Sequence, residues 1–104
     1  MYRHQRIAVV VPAYNEETQI ARVIDTMPDF VDLVVIVNDR SRDRTAEVVR
    51  AHARFASGGV HLIDHAVNQG VGGAIASGYK HARDHDFDVA VVMAGDGQMD
   101  PDEL

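Results

Sequence analysis

Four short apolar runs alternate along the chain with longer stretches in which apolar residues recur every three or four positions. The runs are Ile7 to Val11, Val31 to Val37, Val60 to Ile63 and Val89 to Met93. They are rich in β-branched residues and nearly free of polar ones, as expected of strands covered on both faces. Between them, Ile20, Val23, Ile24 and Met27 fall at helical spacing. So do Ala46, Val49 and Ala53, and then Ala74, Ile75, Gly78, Tyr79 and Ala82. Each set predicts the buried face of a helix. Strands alternating with helices predict right-handed crossovers and an α/β fold, a parallel sheet with helices on both faces.

The polar residues between these elements act as punctuation. Asn15 is placed to cap the first helix, with Glu16 and Glu17 in its first turn, and Pro28 ends it. Ser41 or Asp43 is placed to cap the second helix. Gly58-Gly59 turns the chain into the third strand, Asn68 to Gly73 opens the third helix, and Asp84 to Asp88 is a turn. After the fourth strand, Asp100, Pro101 and Glu103 form a further helix-start signal. We therefore expect residues 1–104 to be a single domain that is the front part of something longer. No internal repeat, low-complexity segment or linker interrupts it.

Charge narrows the partners. Sixteen acidic against ten basic residues leave a net charge of −6, which argues against nucleic acid, whose phosphates select basic faces. A phosphate ligand remains compatible, held by backbone N–H groups and a divalent cation. With no cysteine, disulfides and thiolate metal sites are excluded. No apolar run approaches the roughly 20 residues of a membrane helix. Arg3, His4 and Arg6 before Ile7 give a faint signal-peptide look, but the apolar stretch breaks at Pro12, so we read a strand. The expected location is cytoplasmic.

In parallel sheets ligands bind beyond the carboxyl ends of the strands. The segment Pro12 to Glu17 follows the first strand there. Asp39 follows the second, where a carboxylate can accept from a base edge or a ribose hydroxyl, or can simply cap Ser41 and its neighbours. Gly70, Gly72 and Gly73 allow close approach of backbone to a ligand, or serve a tight loop that needs positive φ. They are not a dinucleotide fingerprint, because Ile75 stands where the third glycine would be and the loop follows the third strand. Asp96 and Gln98 offer two hard oxygen donors suited to Mg²⁺ or Mn²⁺, or else form a polar turn. His81 and His85 lie four apart on a helix but have no third ligand in register. No Ser-His-Asp or Cys-His arrangement is legible.

Taken in order, four segments resemble a known family. They are Val10-Val11-Pro12-Ala13-Tyr14-Asn15-Glu16-Glu17, Val37-Asn38-Asp39-Arg40-Ser41-Arg42-Asp43-Arg44-Thr45, Asn68-Gln69-Gly70-Val71-Gly72-Gly73-Ala74 and Gly95-Asp96-Gly97-Gln98-Met99-Asp100-Pro101. Together they resemble the motifs of family 2 glycosyltransferases, which have the GT-A fold. Within that family they are most similar to the dolichol-phosphate mannose synthase-like, polyprenyl-phosphate sugar transferases. The resemblance implies a three-layer α/β/α, Rossmann-like nucleotide-binding half with strand order 3-2-1-4. It also implies transfer of a sugar from a UDP- or GDP-sugar to an acceptor, a lipid phosphate or a glycan, with a divalent metal on the diphosphate.

By that similarity Pro12, Ala13, Tyr14 and Glu16 line the nucleotide pocket, with the glycines Gly70 and Gly72. Asp39 contacts the base or ribose, and Asp96 matches the second carboxylate of the family's Asp-x-Asp motif. Gln98 matches a nearby metal-side glutamine, making Asp96 and Gln98 the expected metal ligands. Three departures stand out. Ala94 replaces the first Asp of that motif, Asn38 replaces the first of a common Asp pair, and Arg40 and Arg44 stand where glycines are usual. The family's usual catalytic carboxylate falls beyond residue 104, so no general base is named. Two further expectations follow: activity at the inner face of a membrane, and self-association through the open edge of the fourth strand. The alternative is a nucleotide-sugar-binding module without turnover. A different α/β enzyme is disfavoured, because no glycine-rich fingerprint follows the first strand.

Overall fold

The computed structural model describes residues 4–93. The elements are β1 (Ile7–Ala13), α1 (Ile20–Asp25), β2 (Leu33–Asn38), α2 (Thr45–Ala51), α3 (Ala53–Ala56), β3 (Val60–Asp64), α4 (Gly70–Asp84) and β4 (Val89–Val92). The strands form one parallel sheet in the order β3-β2-β1-β4, as the resemblance implies. Because side chains alternate across a strand, β1 and β2 feed two cores. Val9, Val11, Val34 and Ile36 pack with Ile20, Val23 and Ile24 of α1 and Val49 of α2. Val10, Val35 and Val37 pack under Ala74 of α4. The result is three layers, with α1 and α2 on one side of the sheet and α4 on the other.

α4 lies unusually close to the sheet. A Cβ placed on Gly78 would stand 2.2 Å from Val10 Cγ1, so only glycine lets the helix settle over β1. Ala74, Gly78 and Ala82 form its buried stripe. Tyr79, expected inside, is 42% exposed, because a stripe this narrow has no room for a ring beside it.

β1 runs two residues further than expected, through Pro12. The Val10 carbonyl accepts from the Met93 amide at 2.9 Å. In a parallel ladder the nitrogen two residues on faces the same neighbour, so Pro12 points its missing N–H toward the β4 side. That is one rung past Val10↔Val92, the last β1–β4 pair among the described residues. β2 begins at Leu33 rather than Val31. Asp32 is occupied instead in closing the turn, accepting from the Ile7 amide at 2.7 Å.

Two helix expectations need correction. Asn15 does not cap α1; it takes a left-handed conformation with φ 54, and the helix begins five residues later at Ile20. The second helix is broken at His52, which is extended (φ −73, ψ 139) and whose Nδ1 accepts from the Arg54 amide at 3.0 Å. Ala53 therefore opens a new short turn and is exposed rather than buried.

Candidate nucleotide-binding edge

The carboxyl ends of β1, β2 and β3 meet at one edge, where their loops are stitched together by side chains. Three successive amides after β1 find their acceptors on the β2–α2 loop. Asn15 N–H donates to Ser41 Oγ at 3.0 Å, Glu16 N–H to Thr45 Oγ1 at 2.8 Å and Glu17 N–H to Asp43 Oδ2 at 3.2 Å. Arg42 N–H answers with a bond to Asn15 Oδ1 at 2.8 Å. The amides that open the α1 segment are thus capped from across the edge rather than locally.

The acceptors are themselves braced. Ser41 Oγ–H donates to Asn38 Oδ1, and Asn38 Nδ2 donates to Asp64 Oδ1 at 2.8 Å. Thr45 Oγ1–H donates to Asp43 Oδ1, which also accepts from the Thr45 amide at 3.0 Å. Asp43 therefore caps α2, one of the two caps expected. Burial alone would raise the Asp43 carboxyl, but the Thr45 hydroxyl and the Thr45 and Glu17 amides outweigh it and hold it below its ordinary value.

Thr45 is fully buried and bonds on both sides. Thr45→Ala is expected to lower the unfolding free energy by about 1–3 kcal/mol, because it strands the Glu16 amide. Thr45→Ser should recover most of the loss. Urea unfolding midpoints would check both, and equal losses in the two variants would deny the hydroxyl its role.

Asp39 turns away from Ser41, toward α4. Its Oδ1 accepts from the Gln69 amide at 2.8 Å and from His65 Nδ1 at 2.8 Å, and its carbonyl accepts from Asn68 Nδ2 at 3.0 Å. The side chain that holds Ser41 is Asn38, so the simple capping role considered for Asp39 belongs to its neighbour. Burial pushes the Asp39 carboxyl up, but the Gln69 amide, His65 and the Gly70 amide together hold it below its ordinary value. It also sits at the amino end of the 15-residue helix α4, where negative charge is favoured.

A cleft of about 430 Å³ is lined by Tyr14, Arg40, Arg42, Ala66, Val67 and Asn68; it reaches Asp39 through Arg40, the next residue, and Asn68, which bonds the Asp39 carbonyl. Tyr14 is 44% exposed and offers a ring face. Arg40 is anchored, donating from Nη1 to the Ala66 carbonyl at 2.5 Å. Its φ is 57, the left-handed region that favours glycine, which gives a physical reason for the glycine usual at that position. Two guanidiniums thus line one cleft of a chain whose net charge is −6. A larger hollow of about 670 Å³ lies between the second half of α4 and the start of β4, lined in part by Tyr79, Arg83, Phe87 and Asp88. It is away from the carboxyl edge, where sheets of this kind bind ligands.

The profile of Glycosyl transferase family 2 matches residues 8–104. The chain belongs to this family. It is 33% identical over 110 residues to the UDP-N-acetylglucosamine–dolichyl-phosphate N-acetylglucosaminyltransferase of Methanococcus voltae, covering 94% of this chain and 44% of that protein. Among solved structures it resembles the mannosyltransferase PcManGT of Pyrobaculum calidifontis, in complex with GDP-Man and Mn²⁺. The TM-score there is 0.75 and the identity 26%, over 91% of this chain and 28% of that one. It also resembles the glucosyl-3-phosphoglycerate synthase of Mycobacterium tuberculosis in complex with Mn²⁺, UDP and glucosyl-3-phosphoglycerate. That match has a TM-score of 0.65 and 26% identity, over 88% and 34% of the two chains. The chain thus spans less than half the length of each.

Within this family 2 domain, the expected site residues that lie among the described ones fall at this edge with different surroundings. Tyr14 lines the cleft. Pro12 is half-buried at the end of β1, and Glu16 is half-buried behind the stitched loop. The Ala13 methyl is buried in the core, and its carbonyl accepts from the Asp39 amide at 2.9 Å. Gly70 needs its glycine for a φ of 78, while Gly72 has open space where a Cβ would be. Asp96 and Gln98 lie outside the described residues.

Among the described residues no group of three or more His, Asp or Glu side chains is arranged to hold a metal. His81 and His85 stack face to face with ring centroids 4.0 Å apart, and His61 stacks on His81 at 4.0 Å. Partial burial and mutual repulsion lower the His61 and His81 pKa values. No helix among the described residues is long and apolar enough to cross a membrane.

Sequence reasoning gave no role to His65, Arg42 or Asn68. Asn68 and Arg42 stood inside quoted motifs. His65 had no partner at any helical or strand spacing, because Asp39 and Ser77 lie 26 and 12 residues from it.

Proposed function

We propose that residues 1–104 form the donor-binding unit of a glycosyltransferase that takes its sugar from a nucleoside diphosphate sugar, UDP- or GDP-linked. The cleft between Tyr14, Arg40, Arg42 and Asn68, beside a buried carboxylate at the carboxyl edge, carries this reading. Tyr14 offers the base a ring face. Asp39 accepts from the base or the ribose. Arg40 and Arg42 attract the diphosphate, and Gly70 and Gly72 let backbone approach it. Pro12, Ala13 and Glu16 shape the wall behind.

Asp96 and Gln98 are the residues of this chain that would hold Mg²⁺ or Mn²⁺. Their chemistry fits, since both offer hard oxygen donors. Such an ion supplies offsetting charge to the leaving diphosphate. The solved relatives in complex with Mn²⁺ and GDP-Man or UDP support this assignment.

The dolichyl-phosphate acceptor of a relative supports a polyprenyl phosphate as acceptor, with the reaction at the cytoplasmic face of a membrane. The alternative, a nucleotide-sugar-binding module without turnover, differs in one observable: release of nucleoside diphosphate from the donor. The test of the donor site is calorimetric titration with UDP and GDP, each with and without Mn²⁺. Metal-dependent binding of one nucleotide supports the reading, and binding of neither overturns it. We also propose that copies of the chain pair along the outer edge of β4, and a strictly monomeric mass in light scattering would deny this.

A further inference from the structure

His65 follows β3 directly and continues its ladder, its amide donating to the Asn38 carbonyl at 2.9 Å. Its ring bridges two distant elements. Nδ1 lies 2.8 Å from Asp39 Oδ1, and Nε2 lies 2.8 Å from Ser77 Oγ on α4. The side chains of His65 and Asp39 are each 6% exposed. An ionised carboxylate only accepts, so Nδ1 carries the proton toward Asp39. In the neutral ring Nε2 is then the acceptor, and the Ser77 hydroxyl donates to it.

The order Ser77–His65–Asp39 is that of a hydrolase triad, but the surroundings rule out that chemistry. Ser77 sits two turns inside α4, where amides are spent on the helix and cannot stabilise an oxyanion. It does not line the cleft beside Asp39. What the bridge does instead is orient a carboxylate. Both the His65 and the Gln69 bonds fall on Oδ1, which fixes the carboxylate plane and leaves Oδ2 outside this clamp.

We propose that His65 is a positioning residue for nucleotide recognition, holding Asp39 by Oδ1, with Ser77 as its anchor on α4, so that Oδ2 is presented to the nucleoside. The proposal rests on the donor-site reading above and adds to it the residue that sets the geometry of Asp39. Without His65 the carboxylate keeps only backbone amides and loses the ring that ties it through Ser77 to the middle of α4, so it is freer to rotate away from the base or ribose.

The test uses three variants of the chain, titrated with UDP and GDP in the presence of Mn²⁺. An asparagine amide can place its N–H where Nδ1 stands, whereas a glutamine amide reaches toward the Nε2 position. His65→Asn should keep nucleotide affinity within about threefold, while His65→Gln and His65→Ala should lose about tenfold or more. A merely structural histidine would not separate Asn from Gln, so equal loss or equal retention in all three overturns the proposal. Circular dichroism shows whether each variant is folded. If the unmodified chain binds neither nucleotide, the donor reading fails on its own, and the clamp is read without ligand from the NMR titration of the Asp39 carboxyl carbon. A midpoint kept in His65→Asn and raised in His65→Gln sustains the clamp, and identical midpoints refute it.

Discussion

Asp39→Ala is expected to lower the unfolding free energy by about 2–6 kcal/mol, because two buried donors lose their acceptor at about 1–3 kcal/mol each. These are the Gln69 amide and His65 Nδ1. Asp39→Asn separates structure from recognition. Its side-chain oxygen can still accept from both donors, so the loss should be only about 1 kcal/mol, the difference between charge-assisted and neutral hydrogen bonds. The amide that then replaces Oδ2 cannot accept from a base or ribose, and nucleotide affinity should still fall about tenfold or more.

The two variants also differ from the parent in acid. The folded Asp39 carboxyl lies below its ordinary value, so its contribution is present above the unfolded pKa of about 3.9. It is lost as the pH falls through the folded value. Urea midpoints followed downward from pH 5 should therefore fall less steeply in Asp39→Asn than in the parent. Equal affinity in parent and Asn variant would remove Asp39 from the nucleotide site, and equal stability in parent and Ala variant would remove it from the clamp.

Gly78→Ala is the second large effect. The new methyl would stand 2.2 Å from Val10 Cγ1, 3.0 Å from Cγ2 and 3.1 Å from Cβ, and Val10 is fully buried. Overpacking of this kind costs about 1–3 kcal/mol. Exchanging glycine for alanine within a helix returns up to about 1 kcal/mol, so we expect a net loss of about 2 kcal/mol and a fall in Tm of roughly 10 °C. A double-mutant cycle locates the cause, since Val10→Ala removes the two γ-methyls that clash most. The double variant should be more stable than the summed single losses imply, by about 1 kcal/mol or more. Strict additivity would place the strain elsewhere. Because the start of α4 carries Gly70 and the Gln69 amide that holds Asp39, a shift of this helix should weaken nucleotide binding as well.

Much of this architecture was legible along the chain. Runs such as Ile7 to Val11 and Val60 to Ile63 cannot satisfy themselves except as covered strands, and the helical stripes between them leave one arrangement, a parallel sheet with helices on both sides. The ordered motifs resembled the family to which the chain belongs. Local capping rules failed where a longer-range partner was better. Asn15 has the chemistry of a cap, yet its own amide and the two that follow it are met by Ser41, Thr45 and Asp43 from the next loop. Tyr79 has helical periodicity with Ala82 and Ile75, yet Gly78 draws the helix too near the sheet for a ring beside it.

What the amino-acid order determined by itself was the set of elements, their alternation, and the clustering of polar residues at the strand ends. Those follow from short-range periodicity and from the need to bury apolar faces. What only the tertiary structure decided was which polar groups meet there. Asp39, His65 and Ser77 are joined through two 2.8 Å hydrogen bonds, and no spacing along the chain encodes them. Each partner is delivered by a different element, and the crossing of β2, β3 and α4 alone brings them within reach. Fold class is a sum of local preferences, whereas a buried carboxylate's orientation depends on several elements packing at once.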